Sequence, residues 1–245
     1  YRMDRAIGTL TDGLRERGVL DDTLILFMSD NGGNAESGPN GRFTGKNPGD
    51  AASTVFCGES WAWLQNTPFR LYKHFNHEGG IASPLIAHWP AGIQGKGELR
   101  REPGHLVDIM ATVVDVTGAS YPKEFKGHAI QPMEGRSLVP AFANKPIQRE
   151  AIFWEHEGNA AIRVGDWKLV RRSGQGAWEL YDLKADRTEQ KNLAATNAEK
   201  AKELASTWEA WAKRARVVPG PARFSGDGTE VVPDDDATPK APAKA

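Results

Sequence analysis

The segment Thr23 to Met28, with Leu24-Ile25-Leu26-Phe27 between, is apolar on both faces of any strand it forms, and it stops abruptly at Ser29-Asp30-Asn31-Gly32-Gly33. A strand without a polar face needs cover on both sides. That fits a parallel strand between helices better than an antiparallel strand with one solvated face. Asp30 and Asn31 then stand at the carboxyl end of that strand, where ligand sites in open α/β sheets gather. A carboxylate beside a side-chain amide offers hard oxygen ligands, suited to calcium or magnesium rather than a thiolate-seeking metal. Asp-Asn-Gly is also ordinary turn chemistry. The local motif leaves both readings open.

Around this segment the chain alternates periodic and aperiodic stretches. Met3, Ile7, Leu10 and Leu14 share one face of an expected helix that stops at Gly18. From Asn31 to about Ser60 the sequence is rich in Gly, Asn, Ser and Pro, which predicts a long loop, functional or disordered. Gly41 and Gly45-Lys46 fall in it but miss the phosphate-loop spacing, with Asn47 where Ser or Thr would be needed. Pro84 to Trp89 reads as a strand ended by Pro90-Ala91-Gly92, and Leu106 to Val116 as a helix. Ala151 to Trp154, Ala160 to Val164, Trp167 to Arg171 and Trp178 to Leu183 read as short strands of an antiparallel sheet. A helix over 198–215 carries Leu204, Trp208 and Trp211, and a Pro-, Asp-, Ala- and Lys-rich tail beyond it predicts disorder. The division expected is 1–120 for an α/β part, 121–217 for an α+β subdomain and 218–245 for the tail.

Charge and cysteine usage narrow the function classes. A formal net charge of −1 gives no global attraction to nucleic acid or an anionic membrane. No apolar run approaches the roughly 20 residues of a membrane helix. Cys57 is the single cysteine, so an internal disulfide framework and a multi-cysteine zinc site are both excluded. The chain opens with Tyr1-Arg2 inside what already reads as a helix, without a signal peptide, as a fragment or processed chain would.

A second cluster lies in "NTPFRLYKHFNHEGGIASPLIAHWP", where Arg70, Lys73, His74, His77 and Glu78 fall close together. Lys73, a compact charge with three donors, is the candidate anion ligand. Arg70 and His74, taken singly, are expected as solvated charges, although Arg70 could also orient the lysine loop through a carboxylate. The His74 and His77 pair reads as surface or hydrogen-bonding groups rather than metal ligands. His156, in Trp154-Glu155-His156-Glu157-Gly158-Asn159, is a second catalytic candidate that could face a leaving group, with a structural hydrogen bond as the alternative. His105 and Asp108 are expected to cap or pair.

Together these residues resemble a known family. Ser29-Asp30-Asn31-Gly32-Gly33 after a hydrophobic strand is similar to the second metal motif of the type I sulfatases, within the alkaline phosphatase superfamily. Pro68-Phe69-Arg70, Lys73 and Glu78-Gly79-Gly80 resemble their lysine motif. "GHLVDIMATVVDVTGA", "AIRVGDWKLV" and "ELYDLKADRTEQKNLA" are similar to the helix and carboxy-terminal subdomain that follow. The ordered match runs from Met3 to about Asn192.

The resemblance implies a partial alkaline-phosphatase-like fold: a mainly parallel sheet with flanking helices, then a small α+β subdomain with an antiparallel sheet. It implies sulfate-ester hydrolysis assisted by calcium, with Asp30 and Asn31 as two metal ligands, Lys73 as a catalytic group on sulfate, and Arg70 as a further substrate-binding candidate. It also implies a formylglycine nucleophile, made within Cys/Ser-x-Pro-x-Arg in these enzymes. That motif is absent here, since Cys57 is followed by Gly58-Glu59-Ser60. The chain thus reads as the carboxy-terminal half of an arylsulfatase-type protein, inactive alone, whose partners are a small-molecule or glycan sulfate ester and the missing amino-terminal half. Periplasmic or secreted location follows from the resemblance. The rival readings are a phosphatase or phosphonate monoester hydrolase of the same superfamily, and a non-catalytic anion- or carbohydrate-binding fragment.

Overall fold

The computed structural model describes residues 1–173 and 176–217; the tail expected at 218–245 lies outside the described residues. In chain order the elements are α1 (Arg2–Glu16), β1 (Ile25–Met28), β2 (Arg42–Thr44), β3 (Thr54–Phe56), α2 (Glu59–Asn66), α3 (Glu78–Ile81), β4 (Leu85–His88) and α4 (Asp108–Thr117). They continue with β5 (Glu124–Phe125), β6 (His128–Ala129), α5 (Val139–Phe142), β7 (Ile152–His156), β8 (Asn159–Val164), β9 (Trp167–Arg171), β10 (Glu179–Asp182) and α6 (Ala198–Arg214). They gather into two units: Tyr1–Met28 with Pro84–Glu150, and Ser29–Ser83 with the chain from Ala151 on.

In the first unit, α1 forms where the apolar spacing predicts it, and Gly18 follows at a positive φ of 68°. The strand β1 pairs with β4 in antiparallel register, Ile25 opposite His88 and Met28 opposite Leu85. This corrects the expected parallel arrangement; every ladder among the described residues is antiparallel. An apolar pattern reports how many faces want cover, but it carries no information on the direction of the returning segment. Leu138, Ala141, Phe142 and Ile147 form the buried cluster here, with Leu24, Ala87, Trp89, Ile93, Ile109 and Val139 packed against it. Asp108 organises the loop into α4. Its carboxylate accepts backbone N–H bonds from His105 and Arg136, each at 2.8 Å, and pairs with Arg149 at 2.6 Å. A buried carboxylate with three charge-assisted partners ties these loops together, the pairing half of the cap-or-pair expectation for Asp108.

The second unit is built on a four-stranded antiparallel meander in the order β10-β9-β8-β7. Alternation sends Ala160, Ile162, Leu169 and Leu180 to one face, under α6, where Leu204, Trp208 and Ala212 meet them at helical spacing. Trp208 also donates its indole N–H to the Trp154 carbonyl at 3.0 Å. Ala161, Val170, Tyr181 and Leu183 form the cluster on the other face. Residues 31–60, expected as loop, contain the β2–β3 hairpin and the start of α2. Each strand of that hairpin is three residues long and exposed throughout, so no burial pattern marks it in the sequence.

Candidate functional site

Two motifs that lie forty residues apart in sequence are joined here backbone to backbone. Gly32 donates its N–H to the Gly80 carbonyl at 3.0 Å, and Lys73 donates its N–H to the Gly33 carbonyl at 2.9 Å. The Asn66 side chain closes the join, accepting from Gly33 N–H at 2.8 Å and donating to the Leu71 carbonyl at 3.0 Å. Gly79 donates to the Arg70 carbonyl at 2.8 Å. Glycine is required because a Cβ on Gly32 would overlap the Gly79 carbonyl, and one on Gly79 would overlap those of Arg70 and Leu71. The chain thus holds Asp30, Asn31 and Lys73 on adjoining stretches of backbone.

Asp30 is exposed, and Asn31 is half-buried with its Nδ2 donating to the Gly32 carbonyl at 2.8 Å. With the amide nitrogen committed, Oδ1 is the Asn31 atom suited to a cation, beside the Asp30 carboxylate. The donor set is hard oxygen and fits calcium, though two donors fall short of the about six to eight oxygens calcium takes.

The side chain of Lys73 reaches Glu36, Nζ to Oε1 at 2.9 Å. That bond holds the Glu36 carboxyl down at about 2 against the opposing effect of burial. The same Glu36 oxygen contacts His74 Nε2 at 2.9 Å. His74 is 5% exposed and has a φ of 83°, a left-handed conformation that a non-glycine residue adopts only where its surroundings impose it. Burial pushes its imidazole toward the neutral form, against the pull of Glu157 and Glu36.

The expectation of solvated Arg70 and His74 is therefore corrected: both are held inside a network. Arg70 donates to Glu179 Oε2 at 2.6 Å and to the Tyr181 hydroxyl at 2.7 Å, the carboxylate partner that the alternative reading anticipates. His77 is completely buried rather than superficial, with Nε2 at 3.5 Å from Glu179 Oε1. Beneath the Glu78-Gly79-Gly80 turn lies a buried ion network. Lys168 Nζ meets Glu78 Oε1 and Glu189 Oε1, each at 2.8 Å, Glu189 Oε2 accepts the Glu78 N–H at 2.8 Å, and Arg187 pairs with Glu78. Satisfied charges at this depth fix the turn in one arrangement, because breaking one pair leaves another charge buried alone.

His156 lies at the end of β7, where Glu157 and Gly158 form the turn into β8, both at positive φ as a two-residue turn of the mirror-image kind requires. Its side chain is half exposed; the ring stacks on His74 with centroids 5.3 Å apart and places Nε2 at 3.2 Å from His74 Nδ1. Glu36, Glu157, Lys168, Glu179 and Glu189 are the residues that motif reading misses. Only Lys168 carries a signal of its own: in Trp167-Lys168-Leu169-Val170 it is a charge inside an otherwise apolar strand.

Residues 1–119 match the sulfatase family profile, and residues 69–214 match that of N-sulphoglucosamine sulphohydrolase, C-terminal. An uncharacterized sulfatase of Schizosaccharomyces pombe is 31% identical over 241 residues, covering 91% of this chain and 43% of that protein. A solved structure, in complex with its substrate D-glucosamine-2-N,6-O-disulfate, is 26% identical with a TM-score of 0.58, covering 87% of this chain and 38% of that one. The phosphonate monoester hydrolase of Agrobacterium radiobacter shares the fold at 23% identity and a TM-score of 0.53, covering 94% of this chain and 43% of its own. The chain spans less than half the length of the curated relatives it matches.

Proposed function

Because this chain belongs to the sulfatase family and has part of its alkaline-phosphatase-like fold, we propose that it contributes one side of an active site that hydrolyses sulfate esters. The observation that carries this reading is the backbone join that sets Asp30, Asn31 and Lys73 together through Gly32, Gly33 and Gly80. Lys73 holds a sulfate oxygen, placing its charge where the oxygens become more negative in the transition state. Glu36 already puts a carboxylate oxygen on that ammonium, so it marks an anion position and must yield it to substrate. Asp30 and Asn31 hold calcium, which when bound supplies further positive charge to sulfate oxygens. Arg70 is a positioning residue that fixes the lysine loop through Glu179 and Tyr181. His156 carries no step, since its ring is engaged with His74.

No nucleophilic step belongs to these 245 residues, because the Cys/Ser-x-Pro-x-Arg pattern is not among them. The formylglycine, the remaining ligands and an exported location belong to the proposal for the whole protein. Among the described residues no helix is long and apolar enough to cross a membrane. A sulfated sugar is the first substrate class to test, because a solved relative holds one.

The test is hydrolysis by the full-length protein of 4-nitrophenyl sulfate, glucosamine 6-sulfate and a phosphonate monoester. Sulfate esters should be preferred, and Lys73→Ala should lower kcat/KM by about 10²- to 10³-fold, the usual effect of removing one donor from a developing oxyanion. Unchanged kcat/KM in that variant, or preference for the phosphonate, would overturn the reading. The isolated 245-residue chain should turn over none of the three esters, yet bind calcium in a titration that Asp30→Ala abolishes.

A further inference from the structure

His74, His156 and Glu157 bring three metal-ligating atoms to one point from two separate parts of the second unit. His74 Nδ1 lies 3.0 Å from Glu157 Oε2, His156 Nε2 lies 3.2 Å from His74 Nδ1, and His156 Nε2 lies 3.9 Å from Glu157 Oε2. A tetrahedral ion with bonds of about 2.0–2.1 Å separates its ligand atoms by about 3.3 Å. Two sides of the triangle are close to that separation, and the third, His156 to Glu157 at 3.9 Å, must shorten for the ion to bind.

The donors around His74 argue for a cation at that triangle. A neutral imidazole carries one ring proton, yet both of its nitrogens face carboxylates, Glu36 at 2.9 Å and Glu157 at 3.0 Å. Glu36 is the partner for the proton: a carboxylate on the outer nitrogen of a ligating histidine is the usual outer partner, fixing the tautomer and turning the other lone pair to the metal. Lys73 shares that same Glu36 oxygen, which ties the lysine and the imidazole to one anchor. On the inner side, His74 Nδ1, His156 Nε2 and Glu157 Oε2 then present three lone pairs to one another, and an ion converts that opposition into coordination.

We infer that His74, His156 and Glu157 form a three-ligand site for a zinc-class divalent ion, with Glu36 as the outer partner of His74. Two imidazoles and one carboxylate suit zinc and its neighbours rather than calcium. Half exposure of His156 leaves the fourth position open to water or an anionic ligand. The site shares no ligand with the Asp30 and Asn31 pair, so it stands or falls independently of the calcium reading.

Cobalt(II) is the probe, added to the 245-residue chain carrying Cys57→Ser so that the only thiol cannot ligate. One equivalent should give the visible absorption of four-coordinate cobalt, displaced by zinc and unaffected by calcium. His156→Ala and Glu157→Gln, at a half-exposed strand end and a turn, keep the sheet intact. Each should weaken binding by more than the about 10- to 100-fold loss typical of removing an outer partner, which is the loss expected for Glu36→Gln. No saturable absorption, affinity unchanged in either ligand variant, or displacement by calcium would overturn the inference. A doubly protonated His74 bridging both carboxylates would give the first of these results.

Discussion

Gly32 concentrates the demands of the candidate site into one missing methyl group. Its amide feeds the Gly80 carbonyl while its Cα faces the Gly79 carbonyl with no room for a side chain. Gly32→Ala must therefore separate the two motifs or move a backbone that the buried Lys168–Glu78–Glu189 network holds in place. The expected destabilisation is about 3 kcal/mol, the upper part of the overpacking range, read as a lower urea midpoint, with calcium affinity reduced as well. A variant as stable as the parent would show that the join is looser than its hydrogen bonds imply. The same residue shows what sequence reading can reach. Gly32 and Gly33 are legible as a turn, and their place beside Asp30 is legible as a ligand-bearing end. Their partners, Gly80 and Asn66, are not legible, because close approach of two backbones leaves no mark on the hydropathy of either segment.

At the scale of elements, period decides what is legible. Helix α6 repeats its apolar positions at Leu204, Trp208 and Ala212, and the meander repeats its strands every few residues between glycine or polar turns, so both are found within a residue or two of their ends. The β2–β3 hairpin exposes every residue of both strands and is invisible to the same reasoning. The strand β1 is recognised as a strand but mistaken in direction, since direction is fixed by β4, which returns only after residues 29–83. Helix α6 also provides a test of how the meander is held. Trp208 is buried against the sheet, lies edge-on to Trp178 and bonds Trp154 through its indole. Trp208→Ala should cost about 3–5 kcal/mol, lowering the unfolding midpoint of the second unit. Glu203→Ala, on the exposed side of the same helix, should change it little.

At the scale of the molecule, the near balance of acidic and basic residues conceals an acid sensitivity that comes from groups of two kinds, buried imidazoles and ion-paired carboxylates. Burial pushes the His77 imidazole below its ordinary value of 6.5, so the folded chain keeps it neutral where the unfolded chain protonates it. Its contribution is complete above about pH 6.5 and is lost as pH falls through that value toward the folded one. Burial raises the Glu179 carboxyl, but His77, Tyr181 and Arg70 together outweigh it and hold the group well below the carboxylate range. Glu36 is held from 4.5 down to about 2 by Lys73. These two carboxylates stabilise fully above about pH 4.5 and lose that contribution as pH falls toward their folded values. Both effects have the same sign, but they occupy different windows. Thermal unfolding followed from about pH 7.5 down to about pH 3.5 should show one decline beginning near pH 6.5 and a second beginning near pH 4.5. His77→Gln should lessen the upper decline, of which His74 keeps a share, and also reduce the lower, because His77 helps hold Glu179 down. Glu36→Gln should reduce the lower and leave the upper in place, because losing its pull only lowers the His74 imidazole further. A midpoint that holds level or rises on acidification to about pH 5 would mean that His77 is charged in the folded state, with its proton shared with Glu179 across the 3.5 Å that separates them.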